Sequence, residues 1–143
     1  MYDNPLSFLS DSHKSLAYLV KEALSSLGCE DSYLKKLDSF STITLDFTNA
    51  NSINLSIEEE RLCIWSHFNQ DLSSLTLNSK RVLELISNPI DGIEMNLPVL
   101  GTSDNRVYIK ALINVDILED RHRFAKTIDN FYTLIKHISE MIN

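Results

Sequence analysis

The spacing of apolar residues changes period repeatedly along this chain, and that alternation restricts it to a fold mixing helices with sheet. From Ser12 to Leu27, the residues Leu16, Val20, Ala23 and Leu27 recur at steps of four, three and four, with Leu19 and Leu24 widening the stripe into one face of an amphipathic helix. Asp11 or Ser12 can cap its start, and Gly28, having no Cβ, can adopt the left-handed conformation that closes a helix. By Ile43 the step is two. Ile43, Leu45 and Phe47 alternate with Thr42, Thr44, Asp46 and Thr48, as in a strand with one wet face. After a turn at "NAN", Ile53, Leu55 and Ile57 alternate in the same way with Asn54 and Ser56, and "EEE" makes the next turn. The following "RLCIWSHF" differs, because both parities are apolar: Leu62 and Ile64 point to one side, Cys63 and Trp65 to the other. Such a strand needs cover on both faces.

Past Phe68 the polar "NQDLSS" loosens the chain, and Val82, Leu85 and Ile86 then stand at helical spacing with Leu83 off the stripe. Pro89 and Gly92 end that helix. Two strands are expected over roughly 93–100 and 106–115, joined by "GTSDN", with Val107, Ile109, Ala111, Ile113 and Val115 on the inward parity. Phe124, Ile128, Phe131, Ile135, Ile138 and Ile142 give the last helix a seam with steps of four and three. The order is helix, three strands, helix, two strands, helix. Strands grouped by short links imply an α+β fold with a twisted antiparallel sheet packed against helices. The 143 residues fit one domain, 1–143, with 43% hydrophobic and 23% charged residues being ordinary globular usage.

Composition then removes several functions. A formal charge of −7 without a Lys/Arg cluster opposes binding to phosphate backbones, so nucleic acid is not an expected partner. No apolar run approaches the roughly 18 residues of a membrane span, and the start "MYDNPLSFLSD" has neither the basic nor the apolar region of a leader, so the expectation is a soluble, unprocessed protein. Cys29 and Cys63 form no short-spaced pair, and His13, His67, His122 and His137 are scattered, so neither a metal site nor a disulfide framework is indicated and no cofactor is expected. Three isolated glycines supply no phosphate-binding loop.

The chemical candidates are weak for physical reasons. Cys29 follows the C-terminal end of a helix, where the dipole and the adjacent Glu30 and Asp31 oppose a thiolate. Ser39 and Ser41 lack the glycine-flanked elbow of hydrolases, and Asp38 with Ser39 reads as a loop-to-strand junction. Glu58 to Glu60 read as a solvated turn. A thiol-dependent hydrolytic or small-molecule-binding α+β domain, using Cys63 or Cys29, is the competing reading, and a pure assembly or regulatory subunit is a third. Trp65 is the single tryptophan, and its side of the strand calls for a second layer that a subunit or a bound chain could supply.

The runs "LVKEALSSLGC", "LDSFSTITLD", "RLCIWSHF", "KALINVDIL" and "FAKTIDNFYTLI" occur in this order, and together they resemble the InvB/SpaK family of type III secretion chaperones, the class IB group with the CesT/SycE-like fold. The resemblance spans about residues 15 to 142, leaving 1–11 as an expected flexible extension. It implies a non-enzymatic, acidic homodimer in the bacterial cytoplasm that keeps the N-terminal region of several secreted effectors extended, soluble and secretion-competent. Contact with the secretion-apparatus ATPase is among the partners it implies. The resemblance also implies a dimer contact at Val82, Leu83 and Ile86 with Tyr108 and Leu112. Effector grooves would lie beside the first helix and the meander, at Leu19, Leu24, Ile53, Leu55, Ile64 and Trp65.

Overall fold

The computed structural model describes residues 5–30, 42–46 and 51–142. Helix α1 covers Pro5–Ser26, followed by strands β1 (Thr42–Leu45), β2 (Ile53–Glu58) and β3 (Arg61–Asp71). Helices α2 (Leu72–Leu77) and α3 (Ser79–Ile86) come next, then the hairpin β4 (Val99–Ser103) and β5 (Arg106–Leu112), and finally α4 (Arg121–Ile142). The five strands form one antiparallel sheet in the order β1-β2-β3-β5-β4, so β3 is central and β1 and β4 are edges. The expected α+β class and the antiparallel meander are therefore present.

Hydrophobic spacing dictates the layers. The seam Phe124, Ile128, Phe131, Ile135, Ile138 and Ile142 of α4 is buried throughout, as are Leu16, Val20, Ala23 and Leu24 of α1. Both helices and the 3-10 turn Val115–Glu119 between them cover one face of the sheet. That face supplies Ile53, Leu55, Ile57, Leu62, Ile64, Phe68, Val107, Ile109 and Ala111, and all join the same buried cluster. Helix α1 closes as its sequence suggests: Gly28 takes φ +95°, its N–H donates to Ser25 O (3.0 Å), and the Cys29 N–H donates to Leu24 O (3.1 Å).

The structure departs from the sequence reading at element ends. Helix α1 begins at Pro5, not Ser12, so most of the expected extension is helical; proline is tolerated there because the first turn has no use for its missing N–H. The single helix expected around Val82 is two. Asn78 leaves helical geometry (φ −119°, ψ 19°), and its side-chain amide donates to Met141 O on α4 (3.2 Å), fixing the break. Strand β3 runs on to Asp71, whose carboxylate accepts from the Ser74 N–H (3.3 Å) and caps α2. Strand β4 starts at Val99 because residues 94–96 form a 3-10 turn in which Met95 and Asn96 are left-handed (φ 59° and 60°). The hairpin turn narrows to Asp104–Asn105, so Gly101 to Ser103 of the expected loop are strand. Val115 leaves the inward parity because β5 ends at Leu112, which places Val115 on the exposed side of the 3-10 turn. Asn54 and Ser56, expected to be wet, are buried between neighbouring strands. The Asp38, Ser39 and Ser41 junction and Phe47 lie outside the described residues.

Gly92 anchors the turn that leads into the hairpin. It has φ +95°, its carbonyl accepts from the Asn114 N–H (2.8 Å), and the Thr127 hydroxyl on α4 donates to the adjacent Asp91 O (2.8 Å). A Cβ there would meet the Thr127 hydroxyl and stand 2.8 Å from Ile117 Cδ1, whereas one on Gly28, at the same φ, would meet nothing within 4 Å. Gly28→Ala is therefore expected to cost about 1 kcal/mol through backbone strain alone. Gly92→Ala, which adds a steric clash to that strain, is expected to cost about 3 kcal/mol. Urea denaturation midpoints of the two variants check this ranking, and equal losses would contradict it.

Candidate functional site

The second face of the sheet is built by the other parity of the same strands. Pairing sets Asn54, Trp65, Lys110 and Val99 in one row across the sheet, and Ser56, Cys63 and Leu112 in the next. On the other side of the Trp65 row, His67, Tyr108 and Gly101 form a third. Among the described elements the helices that share the buried core lie on the opposite face. Here Cys63 is only 3% exposed, while Trp65, Tyr108 and Leu112 are half-buried and His67 and Lys110 are exposed. A depression of about 600 Å³ opens over this region, with Trp65 and Tyr108 as aromatic walls and Cys63 at its base.

Its aromatic walls are held in place. The Trp65 Nε1–H donates to Ser56 Oγ (3.2 Å), and the Asn54 side chain donates to Trp65 O (3.5 Å) while accepting from Thr44 Oγ1 (2.8 Å). His67 stacks on Trp65 with ring centroids 6.2 Å apart. The Tyr108 ring lies over Gly101, where a Cβ would stand 2.6 Å from the ring, so the absent side chain makes room for the tyrosine. Lys110 Nζ sits 5.6 Å from the Tyr108 centroid, in range of a cation–π attraction.

Other apolar side chains are exposed on the two short helices (Leu77, and Leu83 at 57%) and around the turn before β4 (Met95 at 90%, Leu97, and Val99 at 55%). An Arg61–Glu94 ion pair ties this turn to the β2–β3 hairpin. Among the described strands β4 is an edge, so Val99 stands where another chain could pair.

These observations sort the residues implied by the resemblance. Leu24, Ile53, Leu55 and Ile64 are buried in the chain's own core, on the helix-covered side of the sheet or on α1 itself, and offer no outward surface. Leu19 is half-buried on α1, and Trp65 stands on the second face of the sheet. Val82 is likewise core, while Leu83 is exposed and Ile86 half-buried on α3. Tyr108 and Leu112 lie on the face of the sheet opposite the core, with Trp65. His67, Arg106 and Lys110 also line the depression, and their alternation with the buried Phe68, Val107 and Ile109 places them on this face.

Neither thiol is prepared for chemistry. Burial is the main cause that pushes the Cys63 thiol from 9.0 up to about 11, with the negative charge of Glu58 adding to it and Lys110 opposing. Burial also raises Cys29. Among the described residues no group of three His, Cys, Asp or Glu side chains converges to hold a metal, and no helix is long and apolar enough to cross a membrane.

Comparison with known proteins agrees with this architecture. Residues 28–104, more than half of the chain, match the Invasion protein B family. The chain is 29% identical over 133 residues to the surface presentation of antigens protein SpaK of Salmonella typhimurium, covering 91% of this chain and 97% of SpaK. SpaK of Salmonella typhi matches with the same identity and coverage. The fold is also similar to a chain in the heterodimeric ExoU-SpcU complex of the Pseudomonas aeruginosa type III secretion system, with TM-score 0.59 and 15% identity over 85% of this chain and 95% of that one.

Because Cys63 is protonated well above neutrality, its alkylation in the folded protein at pH 8 should be about a hundredfold slower than that of an ordinary thiol. The same shift means that folding favours the protonated thiol: its contribution is full below pH 9.0 and is lost as pH rises towards about 11. Mass-resolved labelling of native and urea-unfolded protein checks the rate, and rapid native labelling of Cys63 would contradict it. By its sequence, coverage and fold, the chain belongs to the Invasion protein B family.

Proposed function

We propose that the protein is a type III secretion chaperone that holds the N-terminal region of secreted effectors extended and secretion-competent in the bacterial cytoplasm, before delivery to the secretion-apparatus ATPase. The observation that carries this reading is a sheet with one face sealed by its own helices and the other left as a half-open, aromatic-lined surface, in a member of the Invasion protein B family. Extended chains suit such a scaffold. They can add main-chain hydrogen bonds along β1 and β4, the edges among the described strands, while alternate side chains settle on the adjoining faces. Trp65 on the open face and Leu19 on α1 are the effector contacts in this reading. It assigns no catalytic residue, since both thiols are held protonated.

The homodimer in this proposal uses the apolar surface of α3. Leu83 projects outward, with the half-buried Ile86 and the buried Val82 on the same helix. Val82 supports the contact from below. Tyr108 and Leu112, on the face of the sheet opposite the core, complete the dimer contact in this reading.

Leu83→Asp separates these roles because the site is exposed in the single chain. It is expected to change the melting temperature of the monomer little, yet to convert a dimer to monomer by light scattering, since a charge would be buried unpaired at the contact. A dimer that persists would remove α3 from the interface. Co-expression with effector N-terminal fragments of the same secretion system should yield a stable complex in which the fragment remains protease-sensitive when released. Recovery of no fragment would contradict the chaperone role.

A further inference from the structure

Within one chain the charges of α3 stand against the dipole of their own helix. Lys80 and Arg81 occupy its first turn and Glu84 its last, so cations sit at the positive end and a carboxylate at the negative end. Asn78, at the N-cap position, offers no side-chain hydrogen bond to that first turn, its amide donating instead to Met141 O on α4. Lys80 and Glu84 lie one turn apart, yet neither forms an ion pair with the other or with any described residue. Lysine N-terminal to glutamate is the less favourable order for an intrahelical pair. These residues share a stripe: Lys80, Leu83, Glu84 and Ser87 recur at steps of three, one and three, and all are exposed. Val82, Leu85 and Ile86 turn towards the chain's own core.

We infer that the α3 helices of two copies run antiparallel across a twofold axis, with Leu83 packed on the partner's Leu83 and Lys80 and Glu84 joined in reciprocal ion pairs. A twofold contact uses the same surface on both copies, so the stripe has to complement itself. Parallel helices would set lysine against lysine and glutamate against glutamate. Antiparallel helices reverse the order: with the two Leu83 side chains at the axis, each Lys80 lies within two residues' rise, about 3 Å, of the partner's Glu84 along the helix. A lysine side chain spans that offset. The partner's carboxylate then lies near the positive end of the helix and the partner's ammonium near its negative end, so an arrangement unfavourable in the single chain becomes favourable in the pair. This assignment rests on the dimer reading and adds to it the orientation of the contact and the groups that select a second copy.

The test uses the full chain and two charge reversals, Lys80→Glu and Glu84→Lys, made in copies that carry tags of different mass. Sedimentation velocity over a concentration series reads the dimer affinity of each variant alone, and native mass spectrometry reads the species in their mixture. Each variant alone should dimerise about tenfold more weakly than the unaltered chain, because two like-charge pairs replace two opposite ones. Both should keep native circular dichroism, since each substitution suits the dipole of α3 within one chain. Mixing K80E with E84K should restore the affinity as a heterodimer, in which every pair is again opposite in sign. The conservative variants K80R and E84D should dimerise as the unaltered chain does. Unchanged dimers in K80E and E84K, or a mixture no tighter than either variant alone, would overturn the pairing. If those reversals are silent while Leu83→Asp still dissociates the dimer, α3 keeps its place in the contact and the charge pairing alone falls. An unaltered chain that stays monomeric sinks the dimer reading itself. If its capture of an effector fragment is then lost in K80E, the stripe passes to the client and the inference is overturned.

Discussion

Strand β3 has to satisfy two unlike surroundings at once, and the rest of the molecule is arranged around that demand. Its inward parity, Leu62, Ile64, Ser66 and Phe68, is fully sealed beneath the helices. Its outward parity, Cys63, Trp65 and His67, grades from buried to exposed within five residues. A strand alternates sides by geometry, so a central strand that is apolar on both parities needs two covers. The helices supply one. On the other side, the Trp65–Ser56 hydrogen bond and the Tyr108–Gly101 contact leave a surface whose aromatic groups are fixed but not sealed.

This division assigns different consequences to different parts of the chain. Changes on the sealed side act through packing, where removing a buried Phe or Ile costs transfer energy and leaves a cavity. Changes on the open side leave the fold largely intact and act through whatever lies on it. The α3 patch belongs with the second kind: Leu83 is more than half exposed, so its apolar character contributes little to the folding of one chain and much to association. A chaperone for unfolded segments benefits from the separation, because affinity can be tuned without loosening the core.

Much of this was legible in the sequence wherever apolar residues kept a strict period. The seam of α4, the stripe of α1 and the inward parity of β2, β3 and β5 all read directly from steps of four and three or of two. Element ends were less legible because side-chain hydrogen bonds over long separations set them, as when Asn78 reaches Met141 across 63 residues to divide α2 from α3. The candidate grooves were legible only in part. Periodicity separates Ile64 from Trp65 as opposite sides of β3 but does not say which side the chain itself covers; the helices cover the side of Ile53, Leu55 and Ile64. Leu83, off the helical stripe, was the one apolar residue of α3 whose spacing already marked it as outward.

Side-chain footprinting by hydroxyl radicals, on the free protein and on its effector complex, tests the division of faces most directly. Trp65 should be oxidised in the free protein and protected in the complex, while Phe68, Phe124 and Phe131 remain unreactive in both. Protection that spares Trp65, or oxidation of the phenylalanines in the free protein, would contradict the account.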